Sequence, residues 1–233
     1  MTYWIINTLI VFALCVLLAG VLIPQILLIA YRRNLFDEVD ERKIHKGLIP
    51  RLGGIAFMPV MLLSIVFVIG GNIMYGTPYF GYAFFEDALM MVAPFCSLQM
   101  LYLVGLADDL IGIKYRAKFV VQLICAALII SAGCWFHTLA GALGINEFPS
   151  LLAIPFTAVV IVFIINAINL IDGIDGLASG LSSIAAIIYG VSFFVMGEYA
   201  YTAISFATLG VLVPFFYYLS LIHISEPTRP RLI

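Results

Sequence analysis

Seven stretches of this chain are apolar for about the length a helix needs to cross a bilayer: near Tyr3–Ala30, Ile55–Ile73, Ala88–Ala107, Phe119–Ala140, Leu151–Ile168, Leu177–Met196 and Tyr201–Leu221. A hydrocarbon core of about 30 Å takes roughly 20 such residues at about 1.5 Å each. Lipid offers no partner to a backbone N–H or C=O, so a span of this length must satisfy them internally as a helix. With 64% hydrophobic and 10% charged residues, the chain is far more apolar than a soluble domain, where about 45–50% is usual. The spacing predicts an all-α, polytopic membrane helix bundle.

Polar connectors between the stretches alternate in charge. One set holds Arg32 to Arg51, then Lys114, Arg116 and Lys118, then Asn166 to Asp175, then Arg229 and Arg231; the other holds Glu86, Asp87, Glu147 and Glu198. All 11 Lys and Arg therefore fall on one side of an alternating path. The positive-inside rule makes that side cytoplasmic and puts the N-terminus outside. Asp108, Asp109, Asn169, Asp172 and Asp175 are then expected on the cytoplasmic face. The first stretch is too long for a secretory signal, and no basic residue precedes Trp4. Cys15, Cys96, Cys125 and Cys134 lie within apolar runs and read as small packing residues rather than a disulfide or metal set.

Polar residues at the edge of these runs mark where chemistry is expected. In NAINLIDGIDGLASG, Asn166, Asn169, Asp172 and Asp175 recur every three residues. Three-residue steps on a helix drift by only about 60°, so the first three share a face. An Asp at a membrane-helix centre costs roughly 2.5–3.5 kcal/mol, which argues for a water boundary or a polar cavity. Hard oxygen donors beside Gly173 and Gly176 suit Mg²⁺ and a substrate phosphate; interhelical hydrogen bonding by the Asn residues is the alternative. Asp108 and Asp109 end the third stretch, and such adjacent carboxylates want a cation, from a metal or from Lys118; a solvated loop pair is the plainer reading. In the first connector, His45, Lys46, Pro50, Arg51 and Gly53–Gly54 make an anion cradle, or a patch for anionic headgroups.

These three segments, RKIHKGLIPRLGGIAF, GLADDLIGIKYRAKFVVQ and NAINLIDGIDGLASG, resemble in order the signatures of the polyprenyl-phosphate N-acetylhexosamine-1-phosphate transferases. The IHKGLIPRLGG form is closer to the bacterial undecaprenyl-phosphate GlcNAc-1-phosphate transferases than to the phospho-MurNAc-pentapeptide transferases, which carry a Thr-Pro-Thr-Met-Gly-Gly type of sequence there. The resemblance implies transfer of a sugar-1-phosphate from a UDP-sugar to a lipid phosphate, with release of UMP. It implies Asn169 as a Mg²⁺ ligand and Asp172 as ordering the groups around the metal. Asp108 and Asp109 would line the site near the lipid phosphate, which Lys118 would bind. Lys46 and Asp175 would lie near the uridine, with His45, Arg51 and Asn166 also on substrate.

Undecaprenyl phosphate, UDP-HexNAc and the bilayer are thus the expected partners, without nucleic acid and with a homodimer as candidate assembly, in the bacterial inner membrane. An ion-coupled transporter is the alternative of another class, but its carboxylates should lie near the midplane. The family fold has roughly ten or eleven bilayer-length spans, whereas this chain turns near Leu221 into HISEPTRPRLI. Residues 1–221 are expected to form one membrane domain, with 222–233 a tail outside the family pattern. A shortened reading frame, inactive in isolation because a later metal-binding Asp is missing, is the expectation that follows.

Overall fold

Each apolar stretch becomes a helix. The computed structural model describes residues 1–33, 53–85, 88–141, 144, 146–171 and 176–224, and among these there is helix and connecting turn but no strand. The helices run α1 (Thr2–Arg32), α2 (Phe57–Met74), α3 (Tyr79–Ala83), α4 (Ala88–Ile111), α5 (Tyr115–Ser131), α6 (Ser150–Ile171), α7 (Leu177–Met196) and α8 (Tyr199–Ile224). Six segments are long and apolar enough to cross a membrane: Thr2–Arg32, Gly54–Met74, Met90–Ile111, Ser150–Ile171, Leu177–Met196 and Tyr199–Tyr218. Leu17, Phe67, Phe163 and Val195 stand exposed on them, as a lipid-facing surface requires. The chain is a multi-pass membrane protein.

The fourth expected span needs correction. Instead of Phe119–Ala140, α5 runs Tyr115–Ser131, only 17 residues, or about 25 Å. Past Ser131 the Gly133 and Cys134 N–H groups bond back to the Ile130 and Ile129 carbonyls, which closes the helix. The following apolar residues pack on α6 instead. Phe136 donates its N–H to Thr157 Oγ1 at 3.1 Å, and its ring meets Phe156 edge-on at 5.6 Å. Their apolarity looked like more helix because a residue that packs on a neighbour and one that faces lipid share the same composition.

The chain divides into two units, Met1–Phe80 with Ile171–Ile233, and Gly81–Leu170. In the first, α8 packs against α1, α2 and α7. Small residues permit the close α1–α8 approach. Ala203, Ala207 and Gly210 on α8 face a buried α1 stripe that includes Val11, Cys15 and Ala19. A Cβ at Gly210 would stand 2.6 Å from Cys15 Cβ and 2.8 Å from the Phe12 carbonyl oxygen. Helices in lipid gain little from apolar burial against one another, so backbone proximity and van der Waals contact hold them.

A polar and aromatic clasp closes one end of this unit. Asn72 Nδ2 donates to Asn7 Oδ1 at 2.5 Å. The Tyr3 hydroxyl lies 2.7 Å from Asn72 Oδ1 and accepts the Phe80 N–H at 3.1 Å. Trp4 stacks on Tyr199 with centroids 4.1 Å apart, an arrangement typical of the membrane–water boundary. Arg32 and Arg33 lie at the far end of α1 and Glu198 beside Tyr199, so the charge asymmetry seen in the sequence holds within the unit.

In the second unit, α4 packs on α5, and α5 lies antiparallel to α6, since Gln122 meets Asn166 while Phe136 meets Thr157. Ser97 Oγ donates to the Cys125 carbonyl at 3.2 Å, and Cys125 Sγ donates to the Ser97 carbonyl at 3.5 Å.

The α1–α8 contact yields the first prediction. Gly210→Ala should lower the thermal midpoint of the detergent-solubilised protein, for an overpacking cost of about 1–3 kcal/mol. Gly20→Ala is the control: no atom lies within 4 Å of its would-be Cβ, and the better helix former should hold or raise the midpoint. Equal midpoints for wild type and Gly210→Ala would show that the two helices do not pack at this glycine.

Candidate active site

The end of α4 is held by one residue, Asp108. Its backbone carbonyl accepts the Gly112 N–H at 2.9 Å, with Gly112 in the left-handed region at φ +68°, a conformation in which a side chain would be strained. Its carboxylate then takes two donors: Oδ1 accepts the Ile113 N–H at 2.9 Å, and Oδ2 accepts Lys118 Nζ at 2.5 Å. Lys114 is extended, with ψ 138°, and α5 begins at Tyr115. Three residues thus turn the chain from one helix into the next.

The electrostatics follow from the helix ends. A carboxylate in the last turn of α4 faces that helix's own unpaired carbonyls, which disfavours it. The Ile113 N–H and the Lys118 ammonium offset this. The Lys118 and Asp108 side chains are 35% and 30% exposed, so solvent screens the pair and its net contribution is at most about 1 kcal/mol. The pair fixes geometry more than it adds stability. Asp109 follows Asp108 on α4 and is half-buried.

One turn along α5 from Lys118 stands Gln122, 8% exposed. Its carboxamide pairs reciprocally with Asn166 on α6: Asn166 Nδ2 donates to Gln122 Oε1 at 2.8 Å, and Gln122 Nε2 donates to Asn166 Oδ1 at 3.3 Å. Asn166 Nδ2 also reaches the Val162 carbonyl at 2.8 Å. Both ends of the Asn166 side chain are therefore engaged within the protein, which is the interhelical role left open by the sequence. Asn169 lies three residues further along α6 and is exposed.

Because α5 and α6 are antiparallel, three residues up α6 and four down α5 from the amide pair arrive at nearly the same height, about 4.5 and 6 Å away. The unit thereby brings Asp108, Asp109, Lys118, Asn166 and Asn169 to one end. Asp172, Asp175, His45, Lys46 and Arg51, also expected at the site, lie outside the described residues. Gln122 was not expected. Its signal was present, as a carboxamide four residues after Lys118 within an apolar run.

Among the described residues no group of three or more His, Cys, Asp and Glu side chains is placed to hold a metal ion. The oxygen donors that the sequence led one to expect, among the described residues, are the Asp108 and Asp109 carboxylates and the Asn169 carboxamide. Such a sparse oxygen set fits Mg²⁺, which keeps several waters and takes substrate phosphate oxygens. Lys118 is a point charge that can exchange a carboxylate for a phosphate.

Comparison with known proteins places the chain in a family. The model of the family described as glycosyl transferase family 4 matches residues 90–220, more than half of the chain. A phospho-N-acetylmuramoyl-pentapeptide-transferase of Staphylococcus carnosus (strain TM300) is 26% identical over 223 residues, covering 88% of this chain and 65% of that protein. A probable undecaprenyl-phosphate N-acetylglucosaminyl 1-phosphate transferase of Bacillus subtilis (strain 168) is 28% identical over 214 residues, covering 91% of this chain and 56% of that protein. The chain thus spans between half and two thirds of the length of these relatives. The matched region contains α4 from Met90, α5, α6, α7 and most of α8, and with them every described site residue; the chain belongs to glycosyl transferase family 4.

Proposed function

We propose that the protein transfers a HexNAc-1-phosphate, GlcNAc-1-phosphate in particular, from a UDP-sugar to undecaprenyl phosphate at the cytoplasmic face of a bacterial inner membrane. The observation that carries this reading is the Lys118–Asp108 pair, at the same end of one unit as the exposed Asn169, in a chain of this family. A phosphate-seeking cation, a carboxylate that aims it and a neutral oxygen donor are what a reaction between two phosphate anions needs.

In the proposed reaction, an oxygen of the lipid phosphate attacks the phosphorus nearest the sugar. A new P–O bond forms, the bond from that phosphorus to the bridging oxygen of UMP breaks, and UMP departs with the electron pair. A phosphate monoester has a second pKa near 6, so at pH 7 the attacking oxygen is mostly deprotonated and no strong base is required. The barrier lies in bringing anions together. Lys118 is positioned to offset that repulsion by exchanging Asp108 for the incoming phosphate. Asp108, fixed by the Ile113 N–H, keeps the ammonium aimed, and Asp109 accepts any residual proton. Mg²⁺, held by Asn169 and a carboxylate such as Asp109, would neutralise charge on the diphosphate. The family resemblance assigns Lys46 and Asp175 to the uridine and Asp172 to ordering around the metal, and the anion-cradle reading of the first connector puts His45 and Arg51 on substrate.

The pentapeptide transferase among the relatives supports a second reading of the donor, UDP-MurNAc-pentapeptide. The IHKGLIPRLGG connector favours GlcNAc. Membranes containing a version of the protein that spans the full length of its relatives should release UMP from UDP-GlcNAc and undecaprenyl phosphate, and not from UDP-MurNAc-pentapeptide. The reverse preference would overturn the sugar assignment, and UMP from neither donor would overturn the activity.

Two further outcomes are expected. Asn169→Ala, Lys118→Ala and Asp108→Asn should each lower transfer of labelled sugar phosphate by about 100-fold or more, the scale seen when a preorganised electrostatic group is removed. Near-normal turnover by Asp108→Asn would remove its role in aiming Lys118. As for orientation, cysteines replacing Lys46 and Lys114 should resist impermeant thiol reagents in intact cells, while one replacing Glu147 should react. Labelling at Lys46 from outside would put the site on the wrong side for a cytosolic nucleotide sugar.

A further inference from the structure

We infer that Gln122 is a positioning residue for the site: its amide pair with Asn166 fixes the rotation and height of α6 against α5, and so sets Asn169 opposite Lys118. This role in catalysis rests on the transfer reaction proposed above, whereas the amide pair itself is seen in the structure.

A carboxamide within an apolar helix is costly unless it is paired. Gln122 is buried on α5, where each unpaired N–H or C=O dipole is penalised. Asn166 supplies the complementary donor and acceptor, so both faces of the Gln122 amide are paired at 2.8 and 3.3 Å. A single hydrogen bond would leave α6 free to swivel about it. Two antiparallel bonds, with Asn166 tied to the Val162 carbonyl at 2.8 Å, fix direction as well as distance.

The same two residues connect to the charged part of the site through short, stiff pieces of helix. Lys118 is one turn from Gln122 on α5, and Asn169 is one turn from Asn166 on α6. Slippage at the amide pair is therefore transmitted to the separation of Lys118 and Asn169. The pair is also neutral. It fixes helix positions without adding charge that would compete with phosphate for Lys118.

Chain lengths supply the decisive test. Gln and Asn differ by one methylene, so Gln122→Asn shortens the reach across the interface, and the double variant Gln122→Asn/Asn166→Gln restores the total length with the partners exchanged. In a background with the four native cysteines replaced by Ala or Ser, nitroxide labels on Tyr115→Cys and Leu170→Cys, which are 74% and 82% exposed in the wild type, report the α5–α6 distance by pulsed electron paramagnetic resonance. The distribution should be narrow with Gln122, broad with Gln122→Asn and narrow again in the exchanged variant.

Activity is measured in parallel in a version that spans the full length of the relatives and keeps its native cysteines. Gln122→Asn should lower kcat by about 10- to 100-fold with KM within about twofold, as expected for a displacement of order 1 Å, and the exchange should restore it. An unchanged distance distribution in Gln122→Asn would overturn the geometric inference. A broadened distribution with normal kcat would reduce Gln122 to a structural residue. A restored distance without restored kcat would place Asn166 itself on substrate and remove the positioning role. Absence of activity in the wild type would sink the transfer reaction and Gln122's part in catalysis, and leave the distance result to decide the geometric part.

Discussion

Asp108 must satisfy three donors at once, and the end of the second unit is organised around that demand. Its carbonyl receives Gly112, and its carboxylate receives Ile113 and Lys118. The first two bonds decide that α4 ends and the chain reverses within three residues. The third decides which face of α5 turns inward, because Lys118 must reach back across the turn. Once that face is set, Gln122 and Cys125 follow it by helical spacing, and their partners Asn166 and Ser97 locate α6 and the middle of α4. A salt bridge of small net energy thus has a large structural consequence, through register rather than through strength.

The helices were legible in the sequence because lipid enforces them. Leu151–Ile168 and Leu177–Met196 leave no other way to satisfy their backbones, and the structure extends the first only to Ser150–Ile171. The same logic misjudged Phe119–Ala140. Phe136 packs from a turn against Thr157 and Phe156 of α6, and a hydropathy count treats that surface like lipid-facing surface. The site was partly legible. Asp108, Lys118 and Asn169 stood out as charged or amide residues at the ends of apolar runs. Gln122 did not, since a lone carboxamide within an apolar run gains meaning only when its partner is known, and Asn166 is 44 residues away.

The two units use different means to bring helices together. In the first, missing side chains bring α8 onto α1, since Gly210 lets it reach the Cys15 Cβ and the Phe12 carbonyl, and side-chain hydrogen bonds add to this at the Tyr3–Asn72 end and from the Tyr218 hydroxyl to the Gly20 carbonyl. In the second, side chains reach across: amide to amide, hydroxyl to carbonyl, ammonium to carboxylate. Close backbone packing tolerates little relative displacement. Side-chain bridges specify direction and so can place a functional group. The described candidate site residues, Asp108, Asp109, Lys118, Asn166 and Asn169, fall in the unit of the second kind.

Polarity along α5 falls with distance from the charged end, and the order is physically informative. Lys118, Gln122 and Cys125 share one face at spacings of four and three residues, about 6 and 4.5 Å of rise. They run from full charge, through a neutral amide, to a weak thiol donor. A charge is costly to hold deep in hydrocarbon, by roughly 2.5–3.5 kcal/mol even on lenient scales, so Lys118 is placed where its side chain is still 35% exposed. A carboxamide is admissible one turn deeper because Asn166 supplies both a donor and an acceptor to it. A thiol is admissible deeper again, where Cys125 is fully buried and bonded to Ser97. The gradient gives the charged end a neutral, directional foundation. Reversing it, with the charge at Cys125 and the thiol at Lys118, would bury an ammonium beside Ser97 and leave Asp108 without the cation that sets which face of α5 turns inward.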